Sequence, residues 1–254
     1  MNIFNPYRYG GGEPSPDLTD MFAYYRLSSD ATDQLNGNDA TVTEVTSFDA
    51  TNPPPFDTNS AQFNRNNYDR IGIPDSVPNG SDFTINVING FTVNMWVRTE
   101  SASGANYILQ KRGNLATVTS NPYEYGMYFA VNQGTVLQVA NSDGTSNQTT
   151  RTGSFDTNTW TMVTWVFDYD GSDWYNRYYK NGNLLQSIKL TTSLPITSSN
   201  TSAPIWLGSD RGKTSGFNTS YTGRMAGVGF FNTAQTAENI SLIYDYMNAG
   251  NHLI

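Results

Sequence analysis

Residues 158–182 contain the pattern that most restricts the fold of this chain. Residues 159–167 form a run rich in β-branched and aromatic side chains, which fit the pleated surface of a sheet. The turn-forming residues 168–173 separate this run from a second strand-like run at 174–180. Asn181 and Gly182 then close the second run with the dipeptide that most strongly signals a β-hairpin. The segment therefore predicts consecutive antiparallel strands.

The composition also favours strands and turns. Charged residues make up 14% and aromatic residues 13% of the 254 residues, with 22 glycines and 11 prolines. This mixture argues against long helices and against global disorder. The chain is long enough for one large β-sandwich, or for one such domain with appended segments. Cysteine is absent, which excludes disulfides and cysteine-based sites.

The charge and hydropathy restrict the partners. A net charge of −8 disfavours nucleic acids and anionic membranes. No window approaches the roughly 18 apolar residues of a membrane span, and the first residues lack the apolar core of a secretory signal. We therefore expect no nucleic-acid partner and no membrane insertion. These features fit a protein made in the cytoplasm and delivered outside by another route, such as assembly into a virus particle.

Residues 1–20 predict an extended arm. Three glycines at 10–12 form a flexible joint, and Pro14 and Pro16 stiffen the chain that follows. Before the joint lie side chains that so short a segment cannot bury by itself: Phe4, Tyr7, Arg8 and Tyr9. We predict that these four residues dock into a partner subunit, and the alternative is a terminal strand folded back on its own domain or left disordered. The domain is predicted to span residues 21–254.

Other segments have the pattern of a strand or of a helix. Residues 91–98 alternate large apolar side chains with mostly polar ones, a period of two that marks a strand with one buried face. Further strands are predicted near residues 22–27, 106–111 and 222–232. Close to the C-terminus, Thr236 is suited to cap a helix with one apolar face. That face comprises Ile240, Ile243, Tyr244 and Met247.

Taken in order, these segments resemble the laminin-G-like domains of the concanavalin A-like superfamily, from about residue 21 to 248. The resemblance rests on Trp-Thr-x-Val at 160–163, the Asp-Gly turn at 170–171, Tyr-x-Asn-Gly at 179–182 and Phe-Thr-x-x-x-Trp-Val at 91–97. It implies an all-β jelly-roll sandwich of two antiparallel sheets with a short C-terminal helix. Because the superfamily includes both binding modules and glycosidases, the resemblance leaves the function open.

The carboxylates lack the pattern of glycosidases in this superfamily, which place acids at alternating positions of one strand. Retaining chemistry needs two carboxyl groups roughly 5–5.5 Å apart. None of the five glutamates has another carboxylate two residues away. Asp168 and Asp170 alternate, but they fall in a predicted turn. The single histidine, His252, lies near the C-terminus, so we predict that the protein is not an enzyme.

A polar loop near the start of the domain is a candidate calcium site. It contains Asp33, Asn36, Asn38 and Asp39, whose oxygens are of the kind that calcium prefers. The resemblance supports this hypothesis, since related domains often hold a structural calcium near this segment. Ala226 and Gly227 stand where the family's closing strand carries acidic residues. A turn without metal is therefore the alternative.

Sugar binding requires exposed aromatic rings together with fixed polar partners. The candidates are Trp174, Tyr175, Asn176, Asp173, Tyr123 and Tyr125. For Trp174, packing in the core or in the hairpin is the alternative. The remaining tryptophans lie in strand patterns and are predicted to pack the core: Trp96, Trp160, Trp165 and Trp206.

The sequence as a whole favours a non-catalytic structural or adhesive subunit of a virus particle, such as a bacteriophage fibre, decoration or tail-associated protein. Its arm would bind other virion proteins, and its lectin-like domain would bind host-surface glycan or neighbouring subunits, including other copies of the chain. The expected location is the virion. The alternative is a free bacterial carbohydrate-binding or glycan-cleaving module, secreted or at the cell surface.

Overall fold

A computed structural model describes residues 14–74, 83, 89–101, 106–112, 123–130, 134–140, 147–151, 156–190, 204–209 and 220–254. Within these residues the chain forms two antiparallel sheets and one C-terminal α-helix. The predicted all-β sandwich with a short C-terminal helix is thereby confirmed.

The strands follow one another along most of the described chain. In chain order they are β1 Met21–Tyr25, β2 Val42–Glu44, β3 Ser47–Asp49, β4 Ser60–Phe63, β5 Arg70–Ile73, β6 Phe91–Thr99, β7 Asn106–Arg112, β8 Tyr123–Ala130, β9 Gly134–Ala140, β10 Asn147–Arg151, β11 Thr161–Tyr169, β12 Trp174–Lys180, β13 Asn183–Lys189, β14 Ile205–Leu207 and β15 Gly223–Phe231. One 3-10 turn, Arg65–Asn67, lies between β4 and β5, and the helix α1 spans Ala237–Asn248.

The described strands divide between two sheets. Sheet A has the order β13-β12-β11-β6-β15-β4-β3, with β1 also pairing with β15. Sheet B has the order β10-β9-β8-β7-β14-β5-β2. In sheet A the β11–β12–β13 meander corresponds to the two hairpins predicted from residues 158–182, and β11 pairs antiparallel with both β12 and β6.

The main core lies between the sheets and is filled by alternate residues of the strands. In β6 the apolar positions selected from the sequence, Phe91, Val93, Met95 and Val97, are all buried there. The predicted strand with one buried face is therefore confirmed for β6, because successive side chains of a strand point to opposite faces. The neighbouring strand β11 adds alternate residues to the same core, namely Val163, Trp165 and Phe167.

The helix α1 covers the outer face of sheet A and forms a second apolar cluster. Ile240, Ile243 and Met247 pack there against side chains such as Trp96 of β6. The predicted cap is confirmed, because the Thr236 hydroxyl accepts a hydrogen bond from the Asn239 backbone N–H at 3.1 Å. No helix in the described ranges is long and apolar enough to cross a membrane.

The last part of the predicted arm lies on the domain. The Asp17 N–H donates to the Asn239 side-chain oxygen at 2.7 Å, and the Asn239 amide donates back to the Asp17 carbonyl at 2.7 Å. Leu18 packs against the cluster under α1. The predicted docking residues lie outside the described residues: Phe4, Tyr7, Arg8 and Tyr9.

Candidate functional site

The turn between β11 and β12 is held by the carboxylate of Asp170. Its Oδ1 accepts hydrogen bonds from the backbone N–H groups of Ser172 at 2.9 Å and Asp173 at 2.8 Å, and from the Ser172 hydroxyl at 3.0 Å. Gly171 has φ +96°, a conformation that glycine adopts without a steric penalty. The backbone N–H bonds from Asp173 and Ser172 lower the pKa of Asp170 to about 2, so the carboxylate is charged at neutral pH.

An exposed aromatic ring stands beside this turn. Tyr169, the last residue of β11, is 39% exposed, and its hydroxyl donates to the Gly171 carbonyl at 3.0 Å. The Trp174 ring lies 4.6 Å from the Tyr169 ring and 4.6 Å from the Phe167 ring, stacked on the latter. Trp174 itself is only 8% exposed. Trp174 therefore packs between the Phe167 and Tyr169 rings, and Tyr169 is the ring that solvent can reach.

Ion pairs surround the same turn. Lys189 Nζ lies 2.6 Å from Asp173 Oδ2, and Arg177 forms an ion pair with Asp168. The Arg177 guanidinium also lies 5.2 Å from the centre of the Tyr175 ring. Three of the sequence-predicted sugar candidates, Asp173, Trp174 and Tyr175, are consecutive at the turn and the start of β12. Trp174 packs on the inner face of sheet A, and Tyr175, paired with Asp168 and Lys189, lies on the outer face.

The other three candidates are placed differently. Asn176 is fully buried, and its side-chain oxygen accepts a hydrogen bond from the Trp165 indole N–H at 3.1 Å, so it is part of the core. Tyr123 and Tyr125 belong to β8 in sheet B, where Tyr125 is opposite Lys111 in register, while Trp174 belongs to sheet A. The side chains of these two tyrosines lie outside the described part of the structure.

We name the exposed part of this region the turn rim. It comprises Tyr169, Asp170, Ser172, Asp173 and Lys189. By register the Tyr169 ring lies on the inner face of sheet A and Lys189 on the outer face, and the turn with Asp170, Ser172 and Asp173 joins them. A ring that stacks on C–H faces, together with polar groups that bind hydroxyls, is suited to a sugar. The sequence reading missed Tyr169. Tyr169 is two residues after Phe167, so its side chain is on the same face of β11 as that buried ring. This spacing was the sequence signal for a ring just beyond the end of the core.

The predicted calcium loop is organised by one carboxylate, Asp33. Its Oδ1 accepts the backbone N–H groups of Tyr24 at 2.9 Å and Leu35 at 3.1 Å. Its Oδ2 accepts those of Asn36 and Asn38, both at 3.1 Å. Asp33 is 6% exposed, so these four N–H groups occupy the space around both oxygens. The geometry is that of a loop closed on itself by hydrogen bonds.

Other groups of this loop are engaged as well, whereas the buried Asn38 side-chain amide has no partner in the described structure. Asp39 Oδ1 accepts the Asp33 N–H at 2.9 Å, and the Asn36 amide donates to the Phe22 carbonyl at 2.7 Å. The Tyr25 hydroxyl donates to the Asn38 carbonyl at 2.6 Å. Calcium requires six to eight converging oxygens, and this donor set does not fit it. In the described ranges no three His, Cys, Asp or Glu residues are grouped so that they could hold a metal.

A sandwich of two antiparallel sheets with an aromatic and polar rim at a strand turn defines a lectin-like β-sandwich domain. The chain belongs to the concanavalin A-like lectin/glucanase superfamily, whose family model matches residues 66–241. The predicted resemblance is thereby confirmed at the level of the superfamily. Among curated proteins, none matches the sequence.

Solved structures with the same fold include toxins and a sialidase. The receptor-binding domain of botulinum neurotoxin type G has 14% identity and a TM-score of 0.62 over 90% of this chain and 52% of that one. Trypanosoma rangeli sialidase has 14% identity and a TM-score of 0.68 over 98% of this chain and 36% of that one. The ligand-binding domain of botulinum neurotoxin serotype D, in complex with N-acetylneuraminic acid, has 16% identity and a TM-score of 0.61 over 89% and 50%. This chain therefore spans about half or less of those proteins, and the likeness concerns the fold.

Proposed function

We propose that this protein is a non-catalytic glycan-binding module and that the turn rim is its sugar site. The observation that carries the proposal is Tyr169, a ring 39% exposed at the end of a buried strand and held in place by Trp174. Exposed aromatic rings on rigid supports give contact area at little cost in conformational entropy. Asp170 and Asp173 belong to the turn that follows Tyr169, and their carboxylates can accept hydrogen bonds from sugar hydroxyls.

The engagement of Asp170 in the turn rim and of the adjoining Asp168 supports a binding role rather than glycoside hydrolysis. Asp168 is paired with Arg177, and Asp170 is charged and holds the turn. A general acid for glycoside hydrolysis needs a raised pKa so that it carries a proton at working pH. Asp170 has a lowered pKa, so it does not carry the proton that a general acid must donate.

The charge of the turn rim and of the adjoining pair of Asp168 and Arg177 favours uncharged or amino sugars over acidic ones. Arg177 and Lys189 compensate Asp168 and Asp173, which leaves Asp170 as the uncompensated charge. The whole chain carries −8. A carboxylated sugar would therefore meet like charge on approach, in contrast to the N-acetylneuraminic acid bound in the serotype D toxin domain.

A glycan array tests the proposal, with Tyr169→Ala as the decisive variant. We expect binding to neutral or amino glycans, and a loss of about tenfold or more in affinity in Tyr169→Ala, equivalent to about 1.4 kcal/mol. Tyr169→Phe keeps the ring and serves as the matched control, with affinity close to that of the wild type. An array without any bound glycan, or equal affinities for the alanine variant and the wild type, would refute the proposal.

We also propose that this module acts as a structural or adhesive subunit of a virus particle. The support is the composition of the first residues, where aromatic and basic side chains precede three consecutive glycines. In this role the arm binds other virion proteins, and the turn rim binds host-surface glycan. Deletion of residues 1–12 should then abolish incorporation into particles while glycan binding persists. Normal incorporation of the deletion variant would refute anchoring by the arm, and absence of the wild-type protein from particles would favour the alternative of a free bacterial carbohydrate-binding module.

A further inference from the structure

The outer face of sheet B, away from the core, carries an unusual cluster centred on Trp206. Ile205 and Leu207, its neighbours in β14, are both buried between the sheets, so Trp206 points to the opposite face. In register it is opposite Gly72 of β5 on one side and Gln110 of β7 on the other. Trp206 was predicted to pack in the core, and the alternation of β14 places it on the outer face instead.

Glycine allows the indole to lie close against the sheet. A Cβ atom built on Gly72 would be 2.6 Å from the six-membered ring of Trp206, so no other residue fits there without displacing the ring. The Arg70 guanidinium lies over the indole, 5.2 Å from the ring centre. Arg70 Nε is 3.2 Å from Glu44 Oε2, and the Glu44 side chain is 51% exposed. Arg70 therefore covers the indole, and the Glu44 end of the ion pair is exposed to solvent.

Several polar atoms of this cluster are buried without partners. They are Trp206 Nε1, Gln110 Oε1 and Nε2, and Arg70 Nη1, none of which has a hydrogen-bond partner in the structure as described. Gln110 is completely buried and Trp206 is 7% exposed. Buried polar groups in folded proteins are almost always hydrogen-bonded, because an unpaired one is destabilising. These atoms lie on three neighbouring strands around one ring, where a single bound molecule can supply partners to several of them.

Unpartnered buried groups occur elsewhere in the described structure as well, among them the Tyr24 hydroxyl, the Asn38 amide and Trp96 Nε1. Asn94 and Thr164 are two further examples, and their surroundings differ from those of Trp206. Both belong to the outer face of sheet A, which α1 covers. The cluster at Trp206 differs because its outer edge, the ion pair between Arg70 and Glu44, reaches solvent. A partly exposed pair of this kind contributes little to stability, so its rearrangement is a low-cost way to open the cluster.

We propose that this cluster is a second ligand site, independent of the turn rim, that takes a hydroxyl-rich ligand such as a sugar residue. The indole and the guanidinium provide N–H donors, and the Gln110 amide provides both a donor and an acceptor. A sugar hydroxyl both donates and accepts hydrogen bonds, so it can pair with these donors and with the Gln110 acceptor. Arg70 moves off the indole on binding, and the pyranose ring takes its place against Trp206.

Gln110→Met separates a ligand site from a structural one. Methionine has a similar volume and removes both unpartnered amide atoms, so we expect the Tm of the free protein to rise by about 2–4 °C. The probes are galactose, N-acetylglucosamine and chito-oligosaccharides, added to Tyr169→Ala so that binding at the turn rim is weakened by about tenfold or more. At least one should raise the Tm of Tyr169→Ala and leave the double variant Tyr169→Ala/Gln110→Met unchanged.

Trp206→Phe is the second variant, which keeps an aromatic ring and removes the indole N–H. It should lower the saccharide-induced shift in Tyr169→Ala without abolishing it. The proposal is overturned if no probe shifts the Tm of Tyr169→Ala, if the double variant responds equally, or if Gln110→Met lowers the Tm of the free protein. A loss of all binding in Tyr169→Ala would refute the second site while leaving the turn rim as the sugar site.

Discussion

At the scale of single residues, two aspartates show how this chain uses carboxylates. Asp33 accepts four backbone N–H groups, and Asp170 accepts two together with a hydroxyl. Aspartates in loops commonly bind nearby backbone in this way. Both residues were identified from the sequence as turn or loop residues. Which atoms they contact depends on how the chain closes around them.

Asp33→Asn should destabilise the protein by about 3 kcal/mol, because hydrogen bonds to a charged acceptor are among the stronger ones and the amide presents N–H donors where an acceptor is needed. Chemical denaturation measures the change. Asp30→Asn, at an exposed position of the same segment, is the control and should have a small effect. EDTA should leave the Tm of the wild type unchanged. A Tm that depends on calcium would show that the loop binds metal after all.

At the residue scale the sugar candidates were partly predictable. The sequence selected the aromatic and acidic turn in which the proposed site lies, and it named Trp174 as the leading ring where the structure exposes Tyr169. Sequence alone does not tell which of two neighbouring rings covers the other, because both occur at strand ends next to the same turn. The packing of Trp174 on Phe167 decides it.

At the scale of elements, the tail after α1 is tied to the strand β1 and the loops near it. Leu253 is 2% exposed. The Arg26 guanidinium donates to His252 Nε2 at 2.9 Å, which requires a neutral imidazole, and the His252 ring contacts the Phe56 ring edge-on at 5.8 Å. Burial and the charge of Arg26 lower the pKa of His252 below 6.5, against the smaller opposing effect of Asp57.

The tail should therefore lose stability in mild acid. As the pH falls through 6.5, the unfolded chain gains a proton at His252 that the folded chain still resists. The stabilisation is present above that pH and is lost below it. The free energy of unfolding, measured from about pH 7.5 to 5.5, should decrease more in the wild type than in His252→Gln, which keeps an acceptor for Arg26 but does not titrate. Parallel pH profiles would contradict this assignment.

At the scale of the whole molecule, the order of strands along the chain was the decisive signal. Each motif is weak by itself, but their sequence from residue 21 to 248 matched a superfamily whose model covers residues 66–241. The helix cap at Thr236 and the hairpins were predictable because they depend on local chemistry. The pairing of β14 between β5 and β7 was not predicted, because these partners are distant in the chain.

The contact between residues 17–18 and α1 gives a prediction about the arm. Deletion of residues 1–12 should leave the free energy of unfolding within about 0.5 kcal/mol of the wild type. Deletion of residues 1–20 is the matched comparison. It removes the two hydrogen bonds between Asp17 and Asn239 and the packing of Leu18, and should be clearly destabilising. Equal destabilisation by both deletions would show that the first residues fold back on the domain.

The sequence by itself determined the strand period, the turns, the helix and its cap, since each depends on neighbours within a few residues. Only the tertiary structure decided which face of each strand is buried against the other sheet and where the core ends. A period of two gives two faces and does not say which one is covered. For this reason the pattern of residues 158–182 was enough to predict a β-sandwich. The positions of Tyr169, Trp174 and Trp206 depended on the packing of the two sheets.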